Sequence, residues 1–288
     1  MYWEYFNLKV NPFGITPDPK FLYLSTPHAS AIEWMKMAIE QHEFGMITGE
    51  VGSGKTVLSR YLVDSLPEEN FRVAWIINPV MSPTALLREI YSQLFEDKAP
   101  HTKSLLVKAL QEGLVNLFLE NKYPVVLIDE AQVIPGTKIF EELRLLSNYQ
   151  TDEQNLISII LMGQQELLKK LKKKTHRAFL QRVRFTITLN PLRAEEVDSY
   201  ISHRLRVAGL EGGSIFSPEA ILKIHQITGG YPRPVNHLAA FSMMEAMTHE
   251  KNKVDSNDVE AAAKSILYFE DSLSETAVEK HETAAVRE

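Results

Sequence analysis

Residues 49–56 read GEVGSGKT, with three glycines among eight positions and a Lys-Thr pair at the end. The apolar run FGMIT precedes this turn at residues 44–48, and residues 55–66 after it carry apolar side chains at helical spacing. A strand, a glycine-rich turn and a helix in this order are typical of α/β proteins. We therefore predict that the turn connects a buried strand to the start of a helix.

This turn fits the G-x-x-x-x-G-K-[ST] pattern of a phosphate-binding loop (P-loop), with an incidental glycine turn as the alternative. Glycine lets the backbone N–H groups point at phosphate oxygens, and the following helix adds the positive end of its dipole. Lys55 is expected to contact the β- and γ-phosphates of a nucleotide, and the Thr56 hydroxyl to coordinate Mg²⁺. The residues predicted to bind the nucleotide are Gly49, Glu50, Val51, Gly52, Ser53, Gly54, Lys55, Thr56 and Val57.

Two adjacent acids end a second apolar run, VVLIDE at residues 125–130. Such runs are typical of strands buried in a parallel sheet, and ligands bind at the carboxyl ends of these strands. Asp129 is therefore predicted to hold Mg²⁺ through water, and Glu130 to act on the attacking water as a general base. A solvated turn is the alternative for these two acids taken alone.

The remaining pattern predicts the domains. Helical patterns separate five strand-like runs, so we expect a five-stranded parallel sheet with helices on both faces. After Asn190-Pro191 only helical patterns and glycines follow, and the last stretch is acidic and polar. The predicted strands are 44–48, 71–77, 124–129, 156–162 and 184–189. The predicted domains are a core at 1–191, a small all-helical domain at 192–268 and a disordered tail at 269–288.

Composition excludes several classes of function. The 288 residues include no cysteine, which removes disulfides, thiolate nucleophiles and cysteine zinc sites. The formal net charge of -6 gives no overall basic field that would attract nucleic acid. The N-terminus lacks the pattern of a signal peptide, and no apolar run approaches the ~20 residues of a membrane helix. We therefore expect a cytoplasmic protein without a membrane span.

Four segments in chain order resemble the AAA+ ATPases: GEVGSGKT, VVLIDEAQ, LMGQQEL and GGYPRPVN. The sequence is more closely similar to the general secretion pathway protein A group, which the N-terminal stretch YFNLKVNPFGITPDPKFLYLSTPHASAI and the segments FEELRLLSNY and SHRLRVAG also resemble. The resemblance covers about residues 1–267. It implies a P-loop NTPase core with a helical lid, ATP rather than GTP as the nucleotide, and hydrolysis within a homo-oligomer, either a ring or a filament.

The resemblance also implies roles for single residues. Gln164 would be the polar sensor that places the water between Glu130 and the γ-phosphate, with capping of the following helix as the alternative. Arg233 would be the lid sensor that contacts a nucleotide phosphate, with a surface arginine as the alternative. Pro12, Phe13 and the segment 23–30 would line the adenine, although Phe13 and Tyr23 could equally be core aromatics.

An arginine finger is also expected just before the fifth strand, directed at a neighbouring subunit. Its position within the sequence does not decide which arginine leaves its own subunit. The candidates are Arg177, Arg182 and Arg184, of which Arg182 is favoured.

A basic run, KKLKKKTHR at residues 169–177, could contact DNA phosphates or could be a solvated helix face. Its candidate DNA contacts are Lys169, Lys170, Lys172, Lys173 and Lys174.

From the motifs and the resemblance together, we expect an AAA+ ATPase that hydrolyses Mg-ATP and switches a protein partner in secretion or pilus biogenesis. The alternative is an ATP-dependent DNA-binding regulator that selects targets beside a transposase. A third alternative is a nucleotide-bound scaffold with little turnover, against which Glu130 argues.

Overall fold

The structure is a computed structural model, and it describes residues 1–14, 18–152 and 154–266. The tail predicted at residues 269–288 lies outside the described residues. Among the described helices, none combines the length and the apolar character needed to cross a membrane.

Strands and helices alternate in the first two thirds of the chain, and helices follow in the described remainder. The strands are β1 Phe44–Gly49, β2 Phe71–Ile76, β3 Tyr123–Ile128, β4 Ser158–Gly163 and β5 Val183–Leu189. The helices are α1 Tyr2–Tyr5, α2 Thr26–Glu40, α3 Lys55–Asp64, α4 Pro83–Phe95, α5 Lys103–Leu119, α6 Lys138–Leu146, α7 Gln165–Leu171, α8 Arg177–Leu180, α9 Ala194–Val207, α10 Pro218–Thr228, α11 Pro232–Thr248 and α12 at residues 256–266.

The five strands form one parallel sheet in the order β2-β3-β4-β1-β5. The predicted five-stranded parallel sheet is therefore confirmed. All residues of β1 and β4 are buried, whereas burial alternates along the edge strand β5. This difference follows from the sheet order, because helices cover both faces of the inner strands.

Successive residues of each strand point to opposite faces of the sheet. Met46 packs in an apolar cluster with residues of α4 to α8, whereas its neighbour Ile47 packs in another cluster with α2 and α3. The helices therefore lie on both faces, as the sequence predicted. Helix α2 was not predicted as a helix, because its first residues were assigned to an adenine-binding segment.

Local sequence explains where helix α4 begins. The Ser82 hydroxyl accepts a hydrogen bond from the backbone N–H of Ala85 at 3.2 Å, and Pro83 occupies the first helical position. Both residues are favoured at these positions, because the cap accepts from a free N–H and proline has none to satisfy. The Ser-Pro pair at residues 82–83 is therefore a local sequence signal for the start of this helix.

The described chain divides into two compact units. The core unit is Thr26–Asn190, and the helical unit combines Met1–Ser25 with the described chain from Pro191 onward. Residues 1–25 were predicted to belong to the core, but in the structure they belong to the helical unit. The physical reason is burial of apolar side chains: Phe6 and Phe13 lie in the same apolar cluster as residues of α9, α10 and α11.

Candidate nucleotide-binding site

The glycine-rich turn connects the end of β1 to the start of α3, as predicted. Gly52 and Gly54 have φ values of 79° and 95°, in the left-handed region that glycine tolerates best. Gly54 is the N-cap of α3 and offers no side-chain cap, so the first N–H groups of the helix lack an acceptor within the helix. Such N–H groups at the positive end of the helix dipole form an anion-binding site.

The Lys55 side chain is nearly buried, with 5% of its surface exposed. Its ammonium donates hydrogen bonds to the carbonyl oxygens of Gly49 at 2.8 Å and Glu50 at 2.9 Å. Burial lowers the pKa of Lys55, and the charges of the Glu130 and Asp129 carboxylates oppose this shift. The Lys55 ammonium therefore lies within the glycine-rich turn, and the Asp129 and Glu130 carboxylates after β3 favour its charged form.

Asp129 follows β3 and is almost fully buried, with 1% of its surface exposed. Its Oδ1 accepts from the backbone N–H of Glu130 at 2.9 Å, and its Oδ2 accepts from the Ser59 hydroxyl at 3.3 Å. Burial raises the pKa of Asp129, and these hydrogen bonds partly offset the rise. Ser59 lies one turn after Lys55 on α3, so this contact joins the helix that follows the turn to the end of β3. Ser59 was not predicted from the sequence, although its i+4 spacing from Lys55 could have indicated it.

Glu130 is half-buried and has a φ of 49°, a conformation that non-glycine residues rarely adopt. Its Oε2 accepts from Gln132 Nε2 at 2.5 Å, and Gln132 Oε1 accepts from the backbone N–H of Gln164 at 3.0 Å. Gln164 stands at the N-cap position of α7, where its side chain makes no capping bond to any described residue. Gln132 is a second residue that was not predicted from the sequence.

His28 on α2 is a third such residue. Its buried Nε2 lies 2.9 Å from the carbonyl oxygen of Ser53 in the glycine-rich turn. In the sequence, His28 was included only within the segment 23–30, which the resemblance assigned to the adenine. A pattern along the chain could not find this contact, because it joins positions 25 residues apart.

The three candidate finger arginines are exposed in the core unit. Arg184 pairs with Glu43 at 3.0 Å, and Arg182 Nη2 lies 3.5 Å from Asn148 Oδ1. Both arginines line a cleft of about 390 Å³ at the start of β5. Since β1 and β5 run parallel, this cleft lies at the amino-terminal ends of the strands, whereas the glycine-rich turn lies at their carboxyl ends.

Four further residues that were predicted to contact the nucleotide lie in the helical unit: Arg233, Pro12, Phe13 and Tyr23. Arg233 is exposed in the first turn of α11. Phe13 is buried and contacts Phe216 edge-on, with ring centroids 6.3 Å apart, and Tyr23 contacts Tyr200 edge-on at 6.0 Å. Phe13 and Tyr23 thus make aromatic contacts within their own unit, which is the alternative that the sequence left open.

Four of the five lysines of the basic run are exposed, and Lys170 is the exception. Lys170 donates hydrogen bonds to the carbonyl oxygens of Gln132, at 3.3 Å, and Ile134, and its ammonium lies 5.7 Å from the centroid of the Phe140 ring. These internal bonds remove Lys170 from the candidate DNA contacts. The exposed lysines of the run are Lys169, Lys172, Lys173 and Lys174.

Comparison with known proteins supports the meaning of this geometry. The protein-family model described as an AAA domain matches residues 38–171, which include the glycine-rich turn and the two acids after β3. General secretion pathway protein A of Aeromonas hydrophila is 38% identical over 267 residues, which cover 91% of this chain and 48% of that protein. The chain belongs to the AAA+ ATPase family. This AAA+ chain spans about half the length of the curated relative it matches.

Solved structures share the fold of this AAA+ chain. ORC2 of Aeropyrum pernix, in ADPNP-ADP complexes, has a TM-score of 0.62 at 18% identity and covers 88% of this chain and 71% of its own. Drosophila ORC bound to DNA has a TM-score of 0.66 at 15% identity, covering 92% and 66%. The Walker-type ATPase PABY2304 of Pyrococcus abyssi has a TM-score of 0.59 at 15% identity, covering 96% and 81%. Identities this low show the fold alone.

The residues of the AAA+ site fit a nucleotide with a divalent cation. Glycine is needed at position 54, because a Cβ there would lie 2.9 Å from His28 Nε2 and would displace either the imidazole or the turn. The ammonium of Lys55 and the free N–H groups of α3 suit phosphate oxygens. The exposed hydroxyl of Thr56 and the carboxylate of Asp129 are the hard oxygen donors that Mg²⁺ prefers.

Proposed function

We propose that this chain binds Mg-ATP at the glycine-rich turn and hydrolyses it. The observation that supports this most directly is that the Ser59 hydroxyl donates a hydrogen bond to Asp129 Oδ2 at 3.3 Å, which joins the helix after the glycine-rich turn to the acidic end of β3. Lys55 and the backbone of the turn would bind the phosphates, and Thr56 and Asp129 would hold the metal. Bound Mg²⁺ would neutralise phosphate charge and orient the β- and γ-phosphates.

Glu130 would supply the base for hydrolysis. Its carboxylate would orient a water molecule toward the γ-phosphorus and accept a proton as the new P–O bond forms and the bond to the β-phosphate oxygen breaks. Gln164 would help to place this water, and Arg233 would contact a phosphate. Pro12 and the rest of segment 23–30 would line the adenine, whereas Phe13 and Tyr23 make their aromatic contacts within the helical unit.

A neighbouring subunit would complete the site. Arg182 and Arg184 lie at the amino-terminal ends of the strands, and the glycine-rich turn lies at their carboxyl ends. Neither arginine would therefore reach a nucleotide that is bound by its own subunit. Arg184 is paired with Glu43, which leaves Arg182 and Arg177 as better candidates for the finger. Hydrolysis would therefore depend on a homo-oligomer, and the arginine would stabilise charge that develops on the phosphoryl oxygens.

The output would be a change of conformation that a protein partner senses. The 38% identity to a general secretion pathway protein supports a role in secretion or pilus biogenesis. We propose a cytoplasmic location for this activity.

The test is an ATPase assay on the wild type and on Glu130→Gln. We expect the variant to bind ATP with unchanged Kd and to lose turnover by about 100-fold or more, since a general base contributes roughly 10²–10⁴-fold. Glu112→Gln, an exposed substitution of the same chemistry on α5, is the matched control. Equal turnover in wild type and Glu130→Gln would remove hydrolysis and favour the scaffold alternative.

Exposed lysines favour a second candidate function, an ATP-dependent DNA-binding regulator of transposition. Lys169, Lys172, Lys173 and Lys174 carry four positive charges within six residues. Binding to DNA should be measured against salt, with ATP and with ADP. A triple Lys172, Lys173 and Lys174 to alanine variant should flatten the salt dependence by roughly 0.9 in log-log slope for each phosphate that the protein no longer neutralises. Absence of ATP-dependent binding at low salt would defeat this candidate.

A further inference from the structure

The Gln132 side chain connects two loops that follow neighbouring strands. Its Nε2 lies 2.5 Å from Glu130 Oε2, after β3, and its Oε1 lies 3.0 Å from the backbone nitrogen of Gln164, after β4. We call this pair of hydrogen bonds the Gln132 bridge. It joins the carboxylate proposed as the general base to the backbone of the residue proposed as the sensor.

The chemistry of the partners determines which way the amide points. The backbone N–H of Gln164 can only donate, so the atom that faces it must be the Gln132 carbonyl oxygen. The NH₂ group then faces the Glu130 carboxylate, which as an ionised group can only accept. A flipped amide would place donor against donor and acceptor against acceptor, so both bonds hold in one orientation.

The surrounding residues leave room for the bridge and hold its backbone in place. A Cβ at Gly163 would lie 2.9 Å from Gln132 Oε1 and 2.9 Å from Leu167 Cδ2, so the space beside the amide exists because residue 163 is glycine. The carbonyl oxygen of Gln132 accepts from Lys170 Nζ at 3.3 Å. Residues Ala131–Val133 form a 3₁₀ turn, which limits the backbone freedom of residue 132.

We propose that Gln132 is a positioning residue for hydrolysis, which orients the Glu130 carboxylate and ties it to the loop after β4. This inference rests on the proposed ATPase function. A free glutamate side chain samples many rotamers, and a donor at 2.5 Å restricts its carboxylate to one orientation. A movement of the loop at Gln164 would also move the base, so the two predicted catalytic elements act together.

The decisive variant is Gln132→Glu. It keeps the length of the side chain and an acceptor for the Gln164 N–H, but it loses the donor to Glu130 and adds a like charge. Gln132→Met keeps the length and removes both hydrogen bonds. We expect each variant to lower kcat by about 10- to 100-fold, while the Kd for ATP stays within about twofold, because misplacement affects the reacting group and leaves phosphate binding intact.

Two further variants complete the design. Gly163→Ala displaces the bridge without changing its chemistry, and it should lower kcat in the same way, which keeps the test open if a Gln132 variant does not fold. Gln111→Glu, exposed on α5, controls for the added charge. Thermal midpoints and ATP Kd values are measured for all variants beside wild type and Glu130→Gln.

Each outcome decides the matter. A loss of kcat with preserved Kd and thermal midpoint supports the bridge. Wild-type kcat in Gln132→Glu and Gln132→Met, with an inactive Glu130→Gln, overturns this inference and leaves the proposed function standing. A higher kcat would show that the bridge restrains the base. A lower kcat together with weaker ATP binding and a lower thermal midpoint would show a structural role. Either outcome overturns the inference. A wild type without turnover overturns the proposed function and the inference with it.

Discussion

Glycine at position 54 and histidine at position 28 are spatially matched. Gly54 has a φ of 95°, and any Cβ there would lie 2.9 Å from His28 Nε2. The same nitrogen lies 2.9 Å from the carbonyl oxygen of Ser53, so the imidazole supports the turn from outside while the turn remains open to phosphate. The P-loop pattern predicted the glycine, but the histidine that occupies the adjoining space is visible only in the fold.

At this scale we predict that His28→Ala weakens ATP binding. Removing the imidazole leaves the buried carbonyl of Ser53 without this hydrogen bond, at a cost of about 1–3 kcal/mol. If ~1 kcal/mol of this cost is lost from the free energy of ATP binding, the Kd for ATP rises about fivefold. The measurement is titration with a fluorescent ATP analogue. His101→Ala, at an exposed position, is the control, and an unchanged Kd for His28→Ala would refute the supporting role.

Helix starts show how far short segments determine elements. Ser82-Pro83 and Ser217-Pro218 begin α4 and α10 with the same backbone angles, φ -73° and ψ 156° at each serine. Each hydroxyl accepts from the N–H three residues later, at 3.2 Å and 3.1 Å. The two caps lie in different units, so this local pattern forms regardless of the surrounding fold.

We therefore predict that Ser82→Ala and Ser217→Ala each cost about 1 kcal/mol of stability, in the core unit and the helical unit respectively. Hydrogen exchange should show faster exchange in the first turn of α4 for the first variant and of α10 for the second. Ser104→Ala, in the first turn of α5 but not at its cap, is the control. Equal exchange in wild type and both cap variants would mean that tertiary packing alone holds these helix ends.

At the scale of the whole molecule, two buried histidines and one half-buried histidine couple stability to pH. Burial lowers the pKa of His42 and His176 in the core unit and of His203 in the helical unit. Neighbouring cations lower the pKa of His176 and His203 further. The folded state therefore binds fewer protons than the unfolded state between these lowered pKa values and the ordinary value near 6.5.

The sign of the pH effect follows from this difference. The stabilisation from neutral histidines is fully present above about pH 6.5 and is lost as the pH falls through that value toward the folded-state pKa values. We expect the thermal midpoint to decrease as the pH is lowered from 7.5 to 5.5. His42→Asn should reduce that fall, since asparagine tolerates the φ of 55° at this position. His101→Asn is the exposed control, and a pH dependence that His42→Asn leaves unchanged would contradict the assignment to His42.

Much of the fold and part of the site followed from the sequence because the signals are local. Each strand is a run of six or seven residues rich in apolar, β-branched or aromatic side chains, and the turn at 49–56 needs only glycines, a lysine and a threonine in fixed order. The two acids after β3 could be placed at the end of a strand, because they come directly after a buried apolar run. Pairing of β1 with β4 and β5 was not predictable in this way, because strand order depends on contacts across more than 100 residues.

The sequence alone determined the AAA+ architecture and the positions of Lys55, Thr56, Asp129 and Glu130 at the head of α3 and the end of β3, since backbone conformation and burial there depend on nearby residues. The roles of these four residues in ATP hydrolysis are part of the proposed function. Only the tertiary structure decided that His28 supports the turn, that Gln132 joins Glu130 to Gln164, and that the N-terminal 25 residues belong to the helical unit. These contacts join residues of separate strands, helices and loops. Side chains far apart in the chain meet only after the sheet and the helices have packed, and no periodicity in the sequence records that packing.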